Sequence, residues 1–303
     1  MQFLYMLEAL RNPLMDKFML LVTRFGEETA FLAAALIVFW CVDKKKGYYL
    51  MSVGFIGTML NQFLKLMFAV PRPWVLDPEF TIVEAAREAA TGYSFPSGHS
   101  TSAVGTFGAL AVTAEKPWLR RLWITIAVLV PLSRMYLGVH TPSDVLVGSG
   151  MALVLVGMLK PMTSLEKDRG MKDVIGLMLV LAVGLTLFVE WYPFPADMDA
   201  HNLQSGLKNA YTMLGCLTGV ALVYPAEKTY VKFETKACLW AQLLKVVLGL
   251  GVVLLVKEGL RSPLEAVLPQ YPARAVRYFL IVVAAGLLWP MTFRFFAKLG
   301  VKK

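Results

Sequence analysis

Over 303 residues the chain carries 57% hydrophobic and only 17% charged side chains, with a net charge of +9. Soluble domains carry about 25% charged residues, and their apolar runs are shorter, so the composition argues for a multispan membrane protein over a water-soluble bundle. The excess cations fall in short loop clusters with no basic stripe interleaved with aromatics, which argues against nucleic acid as a partner.

In chain order, Gln2–Phe25 has apolar residues at helical spacing with Arg11, Asp16, Lys17 and Arg24 interspersed. That pattern predicts an amphipathic segment at the membrane interface. Its start lacks the basic residues of a secretory signal, so no cleaved peptide is expected. About nine spanning helices follow, each needing roughly 20 mostly apolar residues. The first two are Thr29–Val42 and Tyr48–Phe68; others begin near His99 and Leu122, and the fifth is Pro142–Met158. Val174–Glu190, Gly206–Val223, Leu239–Val256 and Val276–Phe293 complete the set, giving an all-α polytopic membrane bundle.

The loops alternate in charge. Lys44–Lys46, Lys116/Arg120/Arg121, Lys160/Lys167/Arg169/Lys172, Lys228/Lys232/Lys236 and Lys298/Lys302/Lys303 fall on one side, while Glu190–Asp199 is acidic. Basic loops face the cytoplasm, so the N-terminus is expected outside and the C-terminus inside. Cys41, Cys216 and Cys238 are scattered and read as small core residues. Lys245 is the single charge expected within a span, near enough to its cytoplasmic end to snorkel. His201, in the acidic loop, carries no assigned role.

Three polar blocks stand at the outer helix ends: Lys65-LMFAVP-Arg72-Pro73, Pro96-Ser97-Gly98-His99, and Ser133-Arg134-MYLGV-His140-TPS-Asp144. Lys65, Arg72 and Arg134 supply fixed positive charge, and arginines grip a phosphate through two donors. Ser97 and Gly98 lie where a helix begins, so free N–H groups face an anion. Thr141 caps the next helix with Pro142 at its first position and Asp144 in its first turn. A carboxylate beside an imidazole fixes the tautomer and leaves the other nitrogen to attack. With His99 free to protonate a leaving oxygen, phosphoryl transfer fits the constellation. The run Gly98–Ser102 has a serine where a serine-hydrolase elbow needs its second glycine, so that chemistry is rejected.

The ordered pattern K-x6-RP, PSGH, SR-x5-H-x3-D resembles the signature of the type 2 phosphatidic acid phosphatase superfamily, which includes lipid phosphatases, undecaprenyl pyrophosphate phosphatases, glucose-6-phosphatases and soluble vanadium haloperoxidases. The resemblance covers Lys65–Asp144 with every spacing intact. It implies His140 as nucleophile, Asp144 as its orienting acid and His99 as general acid. It also implies Lys65, Arg72, Ser97, Gly98 and Arg134 as phosphate ligands, with no metal and no cofactor. The span number is similar to the nine-helix arrangement of glucose-6-phosphatase.

The expected organisation is an interfacial segment over 1–27, a catalytic membrane core with six phosphatase helices over 28–191, and further transmembrane helices over 192–303. The expected substrate is a lipid phosphate or polyprenyl pyrophosphate at the outer face of the cell membrane, with membrane lipids as surroundings. The alternatives are a soluble sugar phosphate, a lipid phosphotransferase and a non-enzymatic phosphate-lipid transporter. The loop Trp74–Ser94 is expected to be a substrate lid.

Overall fold

The computed structural model describes residues 1–163 and 168–299, and the described residues form helices with no β-strand. In chain order these are α1 (Gln2–Glu8), α2 (Pro13–Thr23), α3 (Glu28–Cys41), α4 (Lys44–Phe68), the single turn α5 (Pro73–Leu76), α6 (Gly98–Thr113) and α7 (Pro117–Tyr136). The chain continues through α8 (Pro142–Leu159), α9 (Asp168–Trp191), α10 (Ala200–Ala226), α11 (Leu239–Gly259), α12 (Arg261–Val267) and α13 (Gln270–Val283). Of the expected basic loops, Lys167, Lys302, Lys303 and the side chain of Arg169 lie outside the described residues.

Each of the nine expected spans overlaps a helix, the last of them, Val276–Phe293, continuing past the end of α13 through further helical turns. Among the described residues, five helical stretches are long and apolar enough to cross a membrane: Lys44–Leu76, Pro142–Leu159, Gly170–Trp191, Leu239–Val267 and Gln270–Phe296. Leu239–Val267 keeps only 17% of its most apolar window buried within the protein. A surface that apolar needs a lipid environment, so the protein is a multi-pass membrane protein. Helix α6 is 16 residues long, and α6 and α7 carry the buried polar side chains Ser100, Thr101, Thr106, Ser133 and Arg134.

Cα packing divides the chain into two units that interleave along the sequence, whereas the expected boundaries at 27 and 191 follow chain order. The first unit gathers residues 1–32, 49–161 and 193–206. Here α6 packs against both α7 and α8, and α2 lies along α7. Local chemistry sets the helix starts. Asn12 caps α2 with Pro13 behind it, Ser97 caps α6, and Thr141 with Asp144 forms a capping box on α8. Gly138 turns the chain out of α7 with φ +81, a left-handed conformation that glycine adopts without a Cβ clash.

The amphipathic N-terminal segment is two helices split at Asn12–Pro13. One side packs inward, with Leu4 joining Phe80, Ile82, Met135 and Val145 in a buried cluster. Arg11 donates to the Tyr136 carbonyl at 2.9 Å and the Tyr136 hydroxyl donates to Asp16 at 2.8 Å. The other side leaves Met6, Leu10 and Leu14 exposed.

The second unit holds residues 33–48, 162–192 and 207–303. Within it Lys44 reaches the buried Glu227 at 2.7 Å. The Trp40 indole donates to the Ala285 carbonyl at 2.9 Å. Lys245 corrects the expectation of snorkelling, being 1% exposed. Its ammonium turns back to the Thr235 carbonyl at 3.0 Å and lies 4.4 Å from the Phe293 ring centre, two partners that stand in for water.

Candidate active site

Every sequence-predicted site residue lies in the first unit, and the four helix ends bring them together. Lys65 comes from the last turn of α4, Arg72 from the turn before α5, Ser97, Gly98 and His99 from the start of α6, Arg134 from the last turn of α7, and His140 and Asp144 from the start of α8. The positive charges of Arg72, Arg134, Lys65 and His99 all act on the His140 ring.

At the centre is a buried relay. The Asp144 Oδ2 atom lies 3.4 Å from His140 Nδ1 and accepts from the Thr141 backbone N–H at 2.8 Å. It also accepts from Ser94 Oγ at 2.6 Å, and that hydroxyl lies 3.5 Å from His140 Nδ1. On the other edge of the ring, Arg72 Nη1 lies 2.9 Å from His140 Nε2. A guanidinium only donates, so Nε2 presents its lone pair and the proton sits on Nδ1, facing Asp144. Burial first, then the charges of Arg72, Arg134, Lys65 and His99, hold His140 well below the ordinary imidazole range, which favours the neutral ring with its Nε2 lone pair turned to Arg72.

The three cations are not equivalent. Arg72 spends Nε on the Gly92 carbonyl at 3.0 Å, Nη1 on the Val139 carbonyl at 2.9 Å and Nη2 on the Thr91 carbonyl at 2.7 Å. Lys65 donates to the Tyr93 carbonyl. Arg134 is 0% exposed and makes one bond, Nη1 to Thr23 Oγ1 at 2.8 Å. Its Nε and Nη2 have no hydrogen-bond partner, and neither has the buried Nε2 of His99. The two orphaned guanidinium donors of Arg134 cost about 1–3 kcal/mol each, more because they are charged, and an anion placed there would satisfy both.

The Ser97–Gly98 start of α6 is held from two sides. The Ser97 N–H donates to the Asp144 carbonyl at 2.9 Å, which ties the start of α6 to the start of α8. The Ser97 side chain caps Ser100, from whose hydroxyl it accepts at 2.9 Å. A Cβ at Gly98 would lie 3.4 Å from Asn61 Oδ1, an ordinary contact, so protein packing alone does not require glycine there.

Two site residues escaped the sequence reading. Ser94, at the end of the expected lid, is fully buried and completes the relay. Asn61, one turn before Lys65, donates to the Pro96 carbonyl and to Thr101 Oγ1, both at 3.2 Å, and so fixes the turn that carries His99. A buried asparagine within an apolar span was the available signal. The segment Trp74–Ser94 is packed into the site. Phe80, Ile82 and Tyr93 are buried, its carbonyls at 91–93 hold Arg72 and Lys65, and residues 85, 86, 88 and 89 line a pocket at Arg134.

The PAP2 superfamily model matches residues 45–167, and a second model, the transmembrane extension of PAP2 superfamily phosphatases, matches residues 211–302. A Bacillus subtilis undecaprenyl-diphosphatase, BcrC, is 30% identical over 49% of this chain and 74% of its own length. The chain belongs to the PAP2 superfamily. Among other PAP2 relatives, an undecaprenyl-diphosphatase of Sulfolobus acidocaldarius is 32% identical over 43% of this chain and 62% of its own length. Glucose-6-phosphatase 3 of Bos taurus is 24% identical over 94% of this chain and 90% of its own length. No solved structure matches this PAP2 chain. The matched phosphatase transmembrane extension and the phosphatase relatives together make it a membrane-bound hydrolase of phosphoesters or diphosphates.

Proposed function

We propose that this protein hydrolyses a lipid-borne phosphoester through a phosphohistidine on His140. The observation that carries the reading is the set of buried, unpartnered donors, Arg134 Nε and Nη2 with His99 Nε2, beside a neutral imidazole whose Nε2 holds a lone pair. In the first step His140 Nε2 attacks phosphorus. The new N–P bond forms as the P–O bond to the leaving alcohol breaks, and His99 gives its proton to that oxygen. Asp144 and Ser94 stabilise the positive charge that develops on the ring, while Arg134, Arg72, Lys65 and the N–H groups at Ser97 and Gly98 neutralise the equatorial oxygens. In the second step His99 takes a proton from water, the resulting oxygen forms a bond to phosphorus, the N–P bond breaks and inorganic phosphate departs. The matching relatives whose names specify undecaprenyl diphosphate and the position of the site at helix ends support a lipid substrate. The basic loops, by the positive-inside rule, support an outer-face site.

A second reading, a water-soluble phosphomonoester, is favoured by the near full-length likeness to glucose-6-phosphatase 3. Phosphate release from a panel of lipid and soluble phosphates, compared by kcat/KM, decides between them. His140→Ala is expected to abolish release and the acid-labile phosphoenzyme trapped after rapid quench. Retained turnover in that variant would overturn the covalent mechanism, and binding without turnover in the parent protein would indicate a carrier instead.

A further inference from the structure

The transmembrane extension carries two cations that the catalytic chemistry does not use. Arg274 and Arg277 stand three residues apart in α13 and belong to the second unit, whereas every predicted catalytic group lies in the first. Arg277 is 6% exposed, yet its Nε has no hydrogen-bond partner, and no acid pairs with it among the described residues. Acids elsewhere in this unit are engaged with other groups. Glu258 pairs with Lys257 and Glu265 with Arg261, both at 3.6 Å, and Glu190 accepts from the Tyr211 hydroxyl at 2.9 Å. A buried charge without a counter-charge is among the costliest arrangements in a protein, so this one calls for an anion from outside the chain.

Arg274 is placed to share that anion. Helix α10 fixes its Nε, which donates to the Lys208 carbonyl at 3.0 Å and to Thr212 Oγ1 at 2.6 Å. Its Nη1 and Nη2 remain as donors that no protein bond uses among the described residues. The guanidinium carbons of Arg274 and Arg277 lie 5.2 and 5.7 Å from the centre of the same Tyr278 ring. Like charges three residues apart on a helix repel, and the shared aromatic ring offsets only part of that. A phosphate group accepts from several guanidinium N–H groups at once and cancels the repulsion. Depth favours a lipid as its source. The two residues lie about 6 and 10 Å along α13 from its first residue, close to the headgroup layer of about 5–7 Å on each side of a bilayer. The stretch that holds them, Gln270–Phe296, is long and apolar enough to span.

We propose that Arg274 and Arg277 form a second anion site, on the transmembrane extension, which takes the phosphate group of a phospholipid headgroup. The site stands whether or not His140 is the nucleophile.

Native mass spectrometry of the full chain in detergent tests it with three probes: phosphatidylglycerol, a diacylglycerol of the same chains, and inorganic phosphate. The parent protein is expected to bind one phosphatidylglycerol at least about tenfold more tightly than the diacylglycerol. Arg277→Met keeps the length of the side chain without its charge and should weaken that binding about tenfold. Arg274→Gln, at a half-buried position, should weaken it about threefold and serves where Arg277→Met does not fold. Arg134→Lys, at the catalytic site, should leave it unchanged. Equal binding by the parent and Arg274→Gln would overturn the site. So would a loss confined to Arg134→Lys, which would place the counted lipid at the catalytic groups. Displacement of the lipid by an equal concentration of inorganic phosphate would overturn the headgroup as the source and assign the site to free phosphate.

Discussion

Asp144 performs two tasks that substitution can separate. Its carboxylate caps α8 through the Thr141 N–H at 2.8 Å, and the same oxygen faces His140 Nδ1 at 3.4 Å and accepts from Ser94 at 2.6 Å. Asp144→Asn keeps an acceptor oxygen that can serve the cap and Ser94 but removes the charge. As N–P bond formation makes the ring cationic, the lost attraction at this distance has a ceiling of about 5 kcal/mol at an effective dielectric of 20. Charge-assisted hydrogen bonds exceed neutral ones by about 1–2 kcal/mol, which sets the realistic range lower. The expected result is a fall of about 10- to 100-fold in kcat with KM changed by less than about threefold, since the interaction strengthens only in the transition state. Thr141→Ala is the contrasting variant. It removes the side-chain half of the capping box at a cost of about 1 kcal/mol of stability, lowering Tm while leaving kcat within about threefold. Steady-state hydrolysis and thermal unfolding in one detergent read both. If Asp144→Asn keeps kcat within threefold of the parent, the carboxylate does not stabilise a cationic ring, and the relay is merely a helix cap.

Two further predictions rest on the same geometry. Arg134→Lys keeps the charge but loses the paired donors Nε and Nη2, and KM for phosphoester is expected to rise about 10- to 100-fold, with weaker vanadate inhibition; an unchanged KM would refute its part as the main phosphate grip. His140 is held neutral below the ordinary histidine value of about 6.5, so the unfolded chain binds more protons than the folded one below that pH. This group's contribution to stability is therefore complete above about 6.5 and is lost as pH falls below it. The acid limb of kcat/KM should likewise lie below that value and shift on Asp144→Asn; a limb above 6.5 would contradict the burial argument.

The helices were legible because apolar runs and caps are local. Thr141-Pro142-Ser143-Asp144 reads as a helix start from four residues, and the structure places a capping box there. The meeting of Lys65, Arg72, His99, Arg134, His140 and Asp144 was also foreseeable, because the order of the spans puts each at a helix end on one and the same expected face. Which donors remain available was not. That depends on the carbonyls at 91–93 and on Thr23, acceptors supplied by backbone and by a distant helix that carry no residue signature. Ser94 was hidden for a related reason, since nothing in a loop serine distinguishes one that bonds a carboxylate fifty residues away. Lys245 likewise depended on Thr235 and Phe293, whose proximity arises only on folding.

The tie between Ser97 and Asp144 explains how a site built from separate helix ends can be accurate. The Ser97 N–H donates to the Asp144 carbonyl, so the cap of α6, which carries His99, is hydrogen-bonded to the first turn of α8, which His140 immediately precedes. Asn61 holds the same turn from α4 through the Pro96 carbonyl and Thr101. Displacing either restraint by about 1 Å would misplace His99 or His140, and misplacements of that size cost about 100-fold in rate. Buried polar bonds in an apolar protein are worth keeping for that reason: their net contribution to stability is about 1 kcal/mol each, while their contribution to position is what the chemistry requires.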